Sequence, residues 1–258
     1  MILVIDIGNT NNKLGVYDKD DTLIESWRLS VSVPRTSDEI GIYIKSLFEE
    51  HNLSKEDFEG VIMSSVQPSM NYTFARACEY YIGKTPIIIG PGIKTGLNIK
   101  YYNPQEVGAD RIVNSVAAYR LYGGPCIIVD FGTATTFNAI SKNGEFLGGC
   151  IAPGIKTSLN ALVHKTSKLP NVELVKPATA IGKSTAANMQ AGMVYGFIGL
   201  VKNIVANLKR EMNEENIHVI ATGGLSQLIT ESDEEKTIDI VDRFLTLKGL
   251  KIIYDMNK

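Results

Sequence analysis

The sequence has no large excess of charge of either sign, and this argues against a protein that binds nucleic acid. Its 258 residues contain 26 lysines and arginines against 28 aspartates and glutamates, so the formal net charge is −2. Proteins that bind nucleic acid usually carry a clustered basic face, and this balance gives no indication of one. We therefore expect no nucleic-acid partner.

Long hydrophobic runs are also missing. No apolar segment reaches the roughly 20 residues that a helix needs to cross a bilayer. The chain starts with the apolar segment 2–7, which has neither the basic region nor the cleavage site of a secretory signal. These features predict a cytoplasmic protein without a membrane partner.

Cysteine and histidine are scarce, which argues against a disulfide framework and a zinc site. The cysteines, Cys78, Cys126 and Cys150, are widely spaced and form no C-x-x-C pair, and the three histidines are isolated. We expect the cysteines to be small buried apolar residues in a reducing compartment.

A P-loop is not predicted either. Gly182-Lys183-Ser184 looks like the end of a Walker A motif, but Pro177 stands where its first glycine should be. The segment 171–180 is also not the buried strand that precedes a P-loop. We expect Ser184 or Thr185 to cap a long helix instead, where either hydroxyl can still face a ligand.

The sequence does contain an internal repeat. An apolar run followed by Asp-x-Gly and small polar residues occurs at Asp6–Gly8 and again at Asp130–Gly132, 124 positions later. A repeat of half the chain length predicts two similar domains. We expect an α/β fold with domains at 1–117 and 118–258 that face each other across a cleft, each presenting a hairpin with an aspartate at its tip.

Hydrophobic periodicity and turn residues predict the secondary structure. Strands are predicted at 2–7, 13–18, 22–29, 60–66, 86–89, 126–131, 134–140, 145–151 and 218–222. Helices are predicted from 37, at 70–82, at 111–122 with Asp110 as its cap, at 155–163 and at 184–210. Between 239 and 254 we expect a short helical stretch and then a strand.

The first hairpin has the chemistry of a phosphate site. Glycine after Asp6 lets the backbone approach a ligand closely, and Lys13 can neutralise phosphate charge. Asp6 can hold hydrated magnesium, which prefers one or two carboxylates together with substrate phosphates. The alternative is an ordinary hairpin, for which Asn-Thr-Asn is equally suitable, but the second copy at Asp130 favours a function.

Two further motifs have both a structural and a functional interpretation. Asp110 is either a plain helix cap or a carboxylate that orients and deprotonates a substrate hydroxyl. Arg111 beside it can bind a carboxylate or a phosphate group through two hydrogen bonds. The run Thr222-Gly223-Gly224 either forms a structural turn or lets the base or ribose of a nucleotide come close to the backbone.

Several motifs in this order resemble the type III pantothenate kinases of bacteria, which belong to the acetate-and-sugar-kinase, actin-like ATPase superfamily. The resemblance covers essentially the whole chain. It rests on Asp6–Asn11, Tyr101 with Asn103-Pro104, Gly108–Arg111, Asp130–Thr135, Gly148–Gly154, Gly182–Thr185 and Thr222–Gly224. It implies two actin-like, ribonuclease H-like domains.

The resemblance also implies an activity and a set of site residues. The family uses ATP to phosphorylate pantothenate, the first step of coenzyme A biosynthesis, in a homodimer with a shared active site. Asp110 would be the general base, Asp6 would lie near Mg²⁺, and Asp130 would hold K⁺ or NH₄⁺. The ATP-binding residues would be Asp6, Ile7, Gly8, Asn9, Thr10, Asn11, Asn12, Lys13 and Thr133. Pantothenate would contact Tyr101, Gly108, Ala109, Asp110, Arg111 and, from the partner subunit, Thr185.

Two other functions stay open from the sequence. One is another kinase or phosphatase of the same superfamily, acting on a sugar or on polyphosphate. The other is a non-catalytic regulator that binds nucleotide or DNA, against which the near-neutral charge and the presence of Asp6, Asp110 and Asp130 both count.

Overall fold

A computed structural model describes every residue except Ser32 and Pro34. The strands are β1 Ile2–Ile7, β2 Asn11–Tyr17, β3 Leu23–Ser30, β4 Gly60–Ser65, β5 Ile87–Ile88, β6 Asn98–Ile99, β7 Cys126–Phe131, β8 Ala134–Ile140, β9 Glu145–Pro153, β10 His218–Gly223 and β11 Ile240–Val241. The α-helices are α1 Ser37–Glu50, α2 Pro68–Ala77, α3 Ala109–Tyr122, α4 Ile155–His164, α5 Thr185–Met212, α6 Ser226–Ser232 and α7 Leu245–Asn257.

The chain divides into two compact units. The first unit is Met1–Gly96, Gln105–Ala117 and Leu245–Lys258, and the second is Leu97–Pro104 and Ala118–Phe244. One of the points at which the chain passes from one unit to the other lies within α3, between Ala117 and Ala118. Residues Leu245–Lys258 belong to the first unit. The predicted bounds place them in the second domain.

The first unit is built on a five-stranded mixed sheet in the order β3-β2-β1-β4-β5. Strands β1, β2 and β3 form an antiparallel meander, and β4 runs parallel to β1 on its other side. Every residue of β1 is buried, because a nearly continuous apolar run suits a central strand covered on both faces. Helix α7 contacts β1, β2 and β4.

The second unit repeats this topology. Its sheet has the order β11-β10-β7-β8-β9-β6. Strands β7, β8 and β9 form the meander, and β10 runs parallel to β7. Strand β6 is an additional edge strand, parallel to β9. The internal repeat and the α/β class are therefore confirmed, with β7 and β10 in the places of β1 and β4.

Each unit has its own hydrophobic core. In the first unit, side chains of β1, β2 and β4 pack with α1 and α2, and the fully buried ones include Leu3, Ile5, Leu14, Met63 and Phe74. In the second unit, β7, β8 and β10 pack with α5, and the core includes Ile127, Val129, Phe137, Val194 and Val219. The sheets therefore hold the ends of β1 and β7 in fixed places.

The prediction for the C-terminal segment was wrong in its order. The strand comes first, as Ile240-Val241 beside β10, and the helix follows as α7. The apolar residues Leu250, Ile253 and Tyr254 are all buried, and their i, i+3, i+4 spacing suits one face of a helix. Asp110 is also not the residue that caps α3, because this helix begins one residue earlier, at Ala109.

Helix α5 follows the sequence prediction closely. Ser184 caps it by accepting a hydrogen bond from the Ala187 amide at 3.2 Å. It is the one helix in the described part of the chain with the length and composition to cross a membrane, and a third of its most apolar window is buried. Its buried side, including Val194, Phe197 and Val201, lies in the core of the second unit.

Gly249 supplies a test of how α7 packs. A Cβ at Gly249 would collide with the backbone carbonyl oxygen of Val113, which cannot swing away as a flexible side chain can. We expect Gly249→Ala to lower the free energy of unfolding by about 1–3 kcal/mol, although alanine normally favours a helix.

The matched control is Gly224→Ala, where a Cβ would meet open space, so the change should stay within about 1 kcal/mol. Urea denaturation measures both variants. An unchanged or raised stability for Gly249→Ala would contradict this packing of α7.

Candidate active site

The first hairpin holds a buried carboxylate at the end of β1. Asp6 is 7% exposed and pairs in register with Lys13 on β2 and with Ser64 on β4. The Ser64 hydroxyl donates to Asp6 Oδ1 at 2.8 Å, and Lys13 Nζ lies 3.4 Å from Asp6 Oδ2. Each oxygen of the carboxylate therefore has its own partner.

The turn of this hairpin is tight and is held by a residue between β4 and α2. A Cβ at Gly8 would lie 2.7 Å from the Asn11 carbonyl oxygen, so the turn requires glycine. The Gln67 side chain donates from Nε2 to the Gly8 carbonyl at 2.7 Å. Of the predicted ATP-binding residues, Asn9, Thr10 and Asn11 are exposed at the tip, whereas Ile7 and Asn12 are buried.

Asp110 lies in the first turn of α3, after Gly108 and Ala109. Its Oδ1 accepts a hydrogen bond from the Arg111 amide at 2.8 Å. Burial is the main cause that raises the pKa of Asp110 above its ordinary value, and the charge of Asp6 raises it further. The Arg111 amide and the charges of Arg111 and Lys13 act in the opposite direction.

The first unit thus brings together Asp6, Lys13, Asp110 and Arg111. Asp110 is half-buried, and a carboxylate whose pKa is raised by desolvation is a better proton acceptor than an exposed aspartate. Lys13 and the buried guanidinium of Arg111 supply positive charge beside it. This set suits an anionic ligand whose hydroxyl group must lose a proton.

The second hairpin places Asp130 against a glycine turn. A Cβ at Gly223 would lie 2.6 Å from Asp130 Oδ1, and the φ of Gly223 is +92°. The Thr133 carbonyl accepts from the Gly154 amide at 3.0 Å and from the Thr157 hydroxyl at 2.7 Å. The hairpin, the start of α4 and the Thr222-Gly223-Gly224 turn therefore form one local structure.

The two hairpins differ at the position that faces the aspartate from the neighbouring strand. Lys13 pairs with Asp6, but the residue that pairs with Asp130 is Thr136. The second hairpin is also one residue shorter between its paired strands. The second site therefore offers carboxylate and hydroxyl oxygens where the first offers a carboxylate and an ammonium group.

The remaining predicted residues belong to the second unit. Tyr101 follows β6, and its ring packs against Phe146 with the ring centroids 5.7 Å apart. A Cβ at Gly148 would lie 3.7 Å from this ring. Thr185 is the exposed first residue of α5. Tyr101, Asp130, Thr133 and Thr185 thus lie in one unit, and Asp6–Lys13 and Gly108–Arg111 lie in the other.

Sequence reasoning missed Ser64, Gln67 and Thr157, which hold the two hairpins. The available signal was the pair of hydroxyl residues, Ser64-Ser65, at the end of an otherwise apolar buried strand. That signal does not identify the partner, because Asp6 is 58 positions away.

The described residues contain no group of three or more histidine, cysteine, aspartate or glutamate side chains able to hold a metal ion. A protein-only metal cage is therefore not present among them. Magnesium in a nucleotide site needs only one or two carboxylates, since phosphates and water complete its shell. Asp6 meets this lower requirement.

The whole sequence also matches one known family. The model of the family described as type III pantothenate kinase matches residues 2–207. A type III pantothenate kinase from Halalkalibacterium halodurans is 52% identical over 257 residues, covering 100% of each chain. The chain belongs to the type III pantothenate kinase family. It is therefore an ATP-dependent kinase that phosphorylates pantothenate in coenzyme A biosynthesis, as the motifs predict.

Solved structures show the fold that this pantothenate kinase shares with other proteins. A structure described as a Baf family transcriptional activator from Campylobacter jejuni matches with a TM-score of 0.62 and 22% identity, covering 99% of this chain and 98% of that one. An inorganic polyphosphate/ATP-glucomannokinase from Arthrobacter matches with a TM-score of 0.53 and 16% identity, covering 100% and 99%. At these identities the likeness shows an actin-like ATPase fold alone.

Asp110→Asn is expected to raise the melting temperature at neutral pH. The folded protein binds the Asp110 proton more tightly than the unfolded chain does, because burial raises the folded pKa above the ordinary value of 3.8. Stability therefore falls as the pH rises through the window between those two pKa values, and the cost persists above it. A neutral asparagine avoids that cost.

Calorimetry from pH 3 to pH 8 tests this. The gain should be present at neutral pH and vanish below the ordinary pKa of aspartate. Asp20→Asn, at an exposed turn, is the control and should change little at any pH. A lower melting temperature for Asp110→Asn at neutral pH would contradict the interpretation.

Proposed function

We propose that Asp110 is the general base of the pantothenate kinase reaction and that the first hairpin binds the phosphates of ATP. The observation that carries this proposal is the half-buried carboxylate of Asp110, whose pKa desolvation raises, in the same unit as Asp6 and Lys13. Asp110 would accept the proton of the pantothenate hydroxyl as that oxygen bonds to the γ-phosphorus, while the bond from the γ-phosphorus to the β,γ-bridging oxygen breaks and ADP leaves. The base need not be strong, because phosphoryl transfer depends mainly on positioning and charge stabilisation.

The first hairpin suits magnesium and phosphate. Asp6 is a carboxylate held in one orientation, and Asn9, Thr10 and Asn11 present amide and hydroxyl groups at an exposed tip. Lys13 supplies positive charge for the phosphate oxygens. When bound at Asp6, Mg²⁺ would neutralise the charge that develops on the transferred phosphoryl group. Thr133, in the turn of the second hairpin, is the further ATP contact that we propose.

Asp130 is the residue that we propose for a monovalent cation, K⁺ or NH₄⁺. Its carboxylate lies beside Gly223, and the neighbouring strand offers the Thr136 hydroxyl where the first hairpin offers lysine. Hard oxygen ligands of this kind suit an alkali cation. A cation there would supply the positive charge that Lys13 supplies in the first hairpin.

We propose that pantothenate contacts Tyr101, Gly108, Ala109, Arg111 and Thr185. Arg111 supplies a guanidinium for the pantothenate carboxylate, and Gly108 and Ala109 allow close approach at the start of α3. Tyr101 is fixed by its contact with Phe146. Thr185 would contact pantothenate from the partner subunit of a homodimer.

A cytoplasmic location is part of the proposal. The described chain has three free cysteines, and burial raises the pKa of the Cys78 and Cys126 thiols to about 12. Thiols that stay protonated and unpaired are consistent with a reducing compartment.

Release of ADP from ATP tests the cation and base assignments together. The parent protein should release ADP only with pantothenate present, and with K⁺ or NH₄⁺ but not Na⁺ as the sole monovalent cation. Asp110→Asn should lower kcat about 100- to 10,000-fold, the usual contribution of a general base. Full activity of Asp110→Asn would remove Asp110 from that role, and equal activity in Na⁺ would remove the selective cation site.

Mixing two inactive variants tests the shared active site. If Thr185 acts on the partner's Asp110 site, a heterodimer of Asp110→Asn and Thr185→Ala keeps one intact site of two. Random exchange of subunits should then restore about a quarter of the parent activity. Each variant remixed with itself is the control, and no recovery after confirmed exchange would place Thr185 in its own subunit's site.

A further inference from the structure

We propose that Ser64 is a positioning residue, which fixes the orientation of the Asp6 carboxylate so that Oδ2 is presented to Lys13 and to Mg·ATP. The inference rests on the proposed role of Asp6 in ATP binding and extends it to a residue outside the hairpin. Ser64 itself is fully buried on β4 and does not reach the exposed tip of the hairpin.

The geometry allows Ser64 to fix a single rotamer of Asp6. The terminal torsion of an aspartate is broad and nearly twofold, so β1 alone does not decide where each oxygen points. The Ser64 hydroxyl has one proton, and it donates that proton to Oδ1 at 2.8 Å. Oδ2 then lies on the Lys13 side, with Nζ at 3.4 Å.

The duplication places a hydroxyl residue at the same register in the second unit. Ser64 pairs with Asp6 across parallel strands β1 and β4, and Thr222 pairs with Asp130 across parallel strands β7 and β10. Both hydroxyl residues are buried. The same residue type therefore lies directly beside the hairpin aspartate in each unit, although the sequences around them differ.

Ser115 provides a matched contrast within the first unit. It is as fully buried as Ser64, but its Oγ has no hydrogen-bond partner among the residues that the structure describes. Serine to alanine at either position removes one buried hydroxyl and leaves a similar space. Only Ser64→Ala removes a bond to Asp6, so a difference in ligand binding between the two variants reports on that bond.

The experiment measures Mg·ATP affinity by calorimetric titration, independently of turnover. A hydrogen bond to a charged group corresponds to about a 10- to 100-fold change in an equilibrium constant. We expect Ser64→Ala to weaken Mg·ATP binding by about that factor, to raise the Mg²⁺ concentration needed for half-maximal activity, and to leave KM for pantothenate unchanged. Ser115→Ala should match the parent in Mg·ATP affinity, in the Mg²⁺ concentration needed for half-maximal activity and in KM for pantothenate.

A double-mutant cycle with Asp6→Ala separates positioning from a general structural effect. If Ser64 acts through Asp6, Ser64→Ala should change the affinity less than about twofold once Asp6 is alanine. The same loss in both backgrounds would overturn the proposal, as would Ser64→Ala that binds Mg·ATP like the parent. Asp6→Ala with parental affinity would instead overturn the proposed ATP site itself.

Ser64→Cys keeps the inference testable if the alanine variant does not fold. Cysteine is close to serine in size and is a weaker donor, so we expect a folded Ser64→Cys variant to bind Mg·ATP more weakly than the parent. Parental affinity in this variant, together with loss in Asp6→Ala, would show that Asp6 does not depend on the donor at position 64 and would overturn the proposal.

Discussion

A carboxylate buried at the end of a central strand is the constraint on which the first unit depends. A buried charge is costly unless it is paired and hydrogen-bonded, and Asp6 finds its partners on two different strands. Lys13 and Ser64 reach it only because β2 and β4 pair with β1 in their observed registers. A shift of one residue would turn either side chain to the opposite face of the sheet. The register of the sheet and the chemistry of the hairpin are therefore a single requirement.

The two units show how one topology supports two different ligand environments. Both sheets place an aspartate at the end of the central strand and a hydroxyl residue beside it on the parallel neighbour. The divergence lies on the antiparallel side, where Lys13 in one unit corresponds to Thr136 in the other. The two hairpins therefore differ by one cross-strand residue and by one residue in the length of the turn.

The sequence was sufficient for features encoded locally and insufficient for those that depend on distant pairing. The hairpins, the Ser184 cap and most strands follow from short patterns, and the repeat predicts the matching sheets. Ser64 was missed because its partner is far along the chain. The C-terminal order was wrong because Leu245 to Tyr254 is apolar enough for either element, and packing of α7 against β1 decided the outcome. The roles of the site residues were predicted from the family resemblance, which propensity alone does not supply, and they stay predictions.

The raised pKa of Asp110, which we propose as the base, depends more on burial by the fold than on the charged groups nearby. Asp6, Lys13 and Arg111 all act on the pKa of Asp110, but their charges differ in sign and burial is the largest cause of the shift. A cation that neutralised Asp6 would remove only the lesser of the two causes that raise this pKa. The same burial makes the charged carboxylate a cost to stability, so the property that suits Asp110 to its role is one that the rest of the first unit must offset.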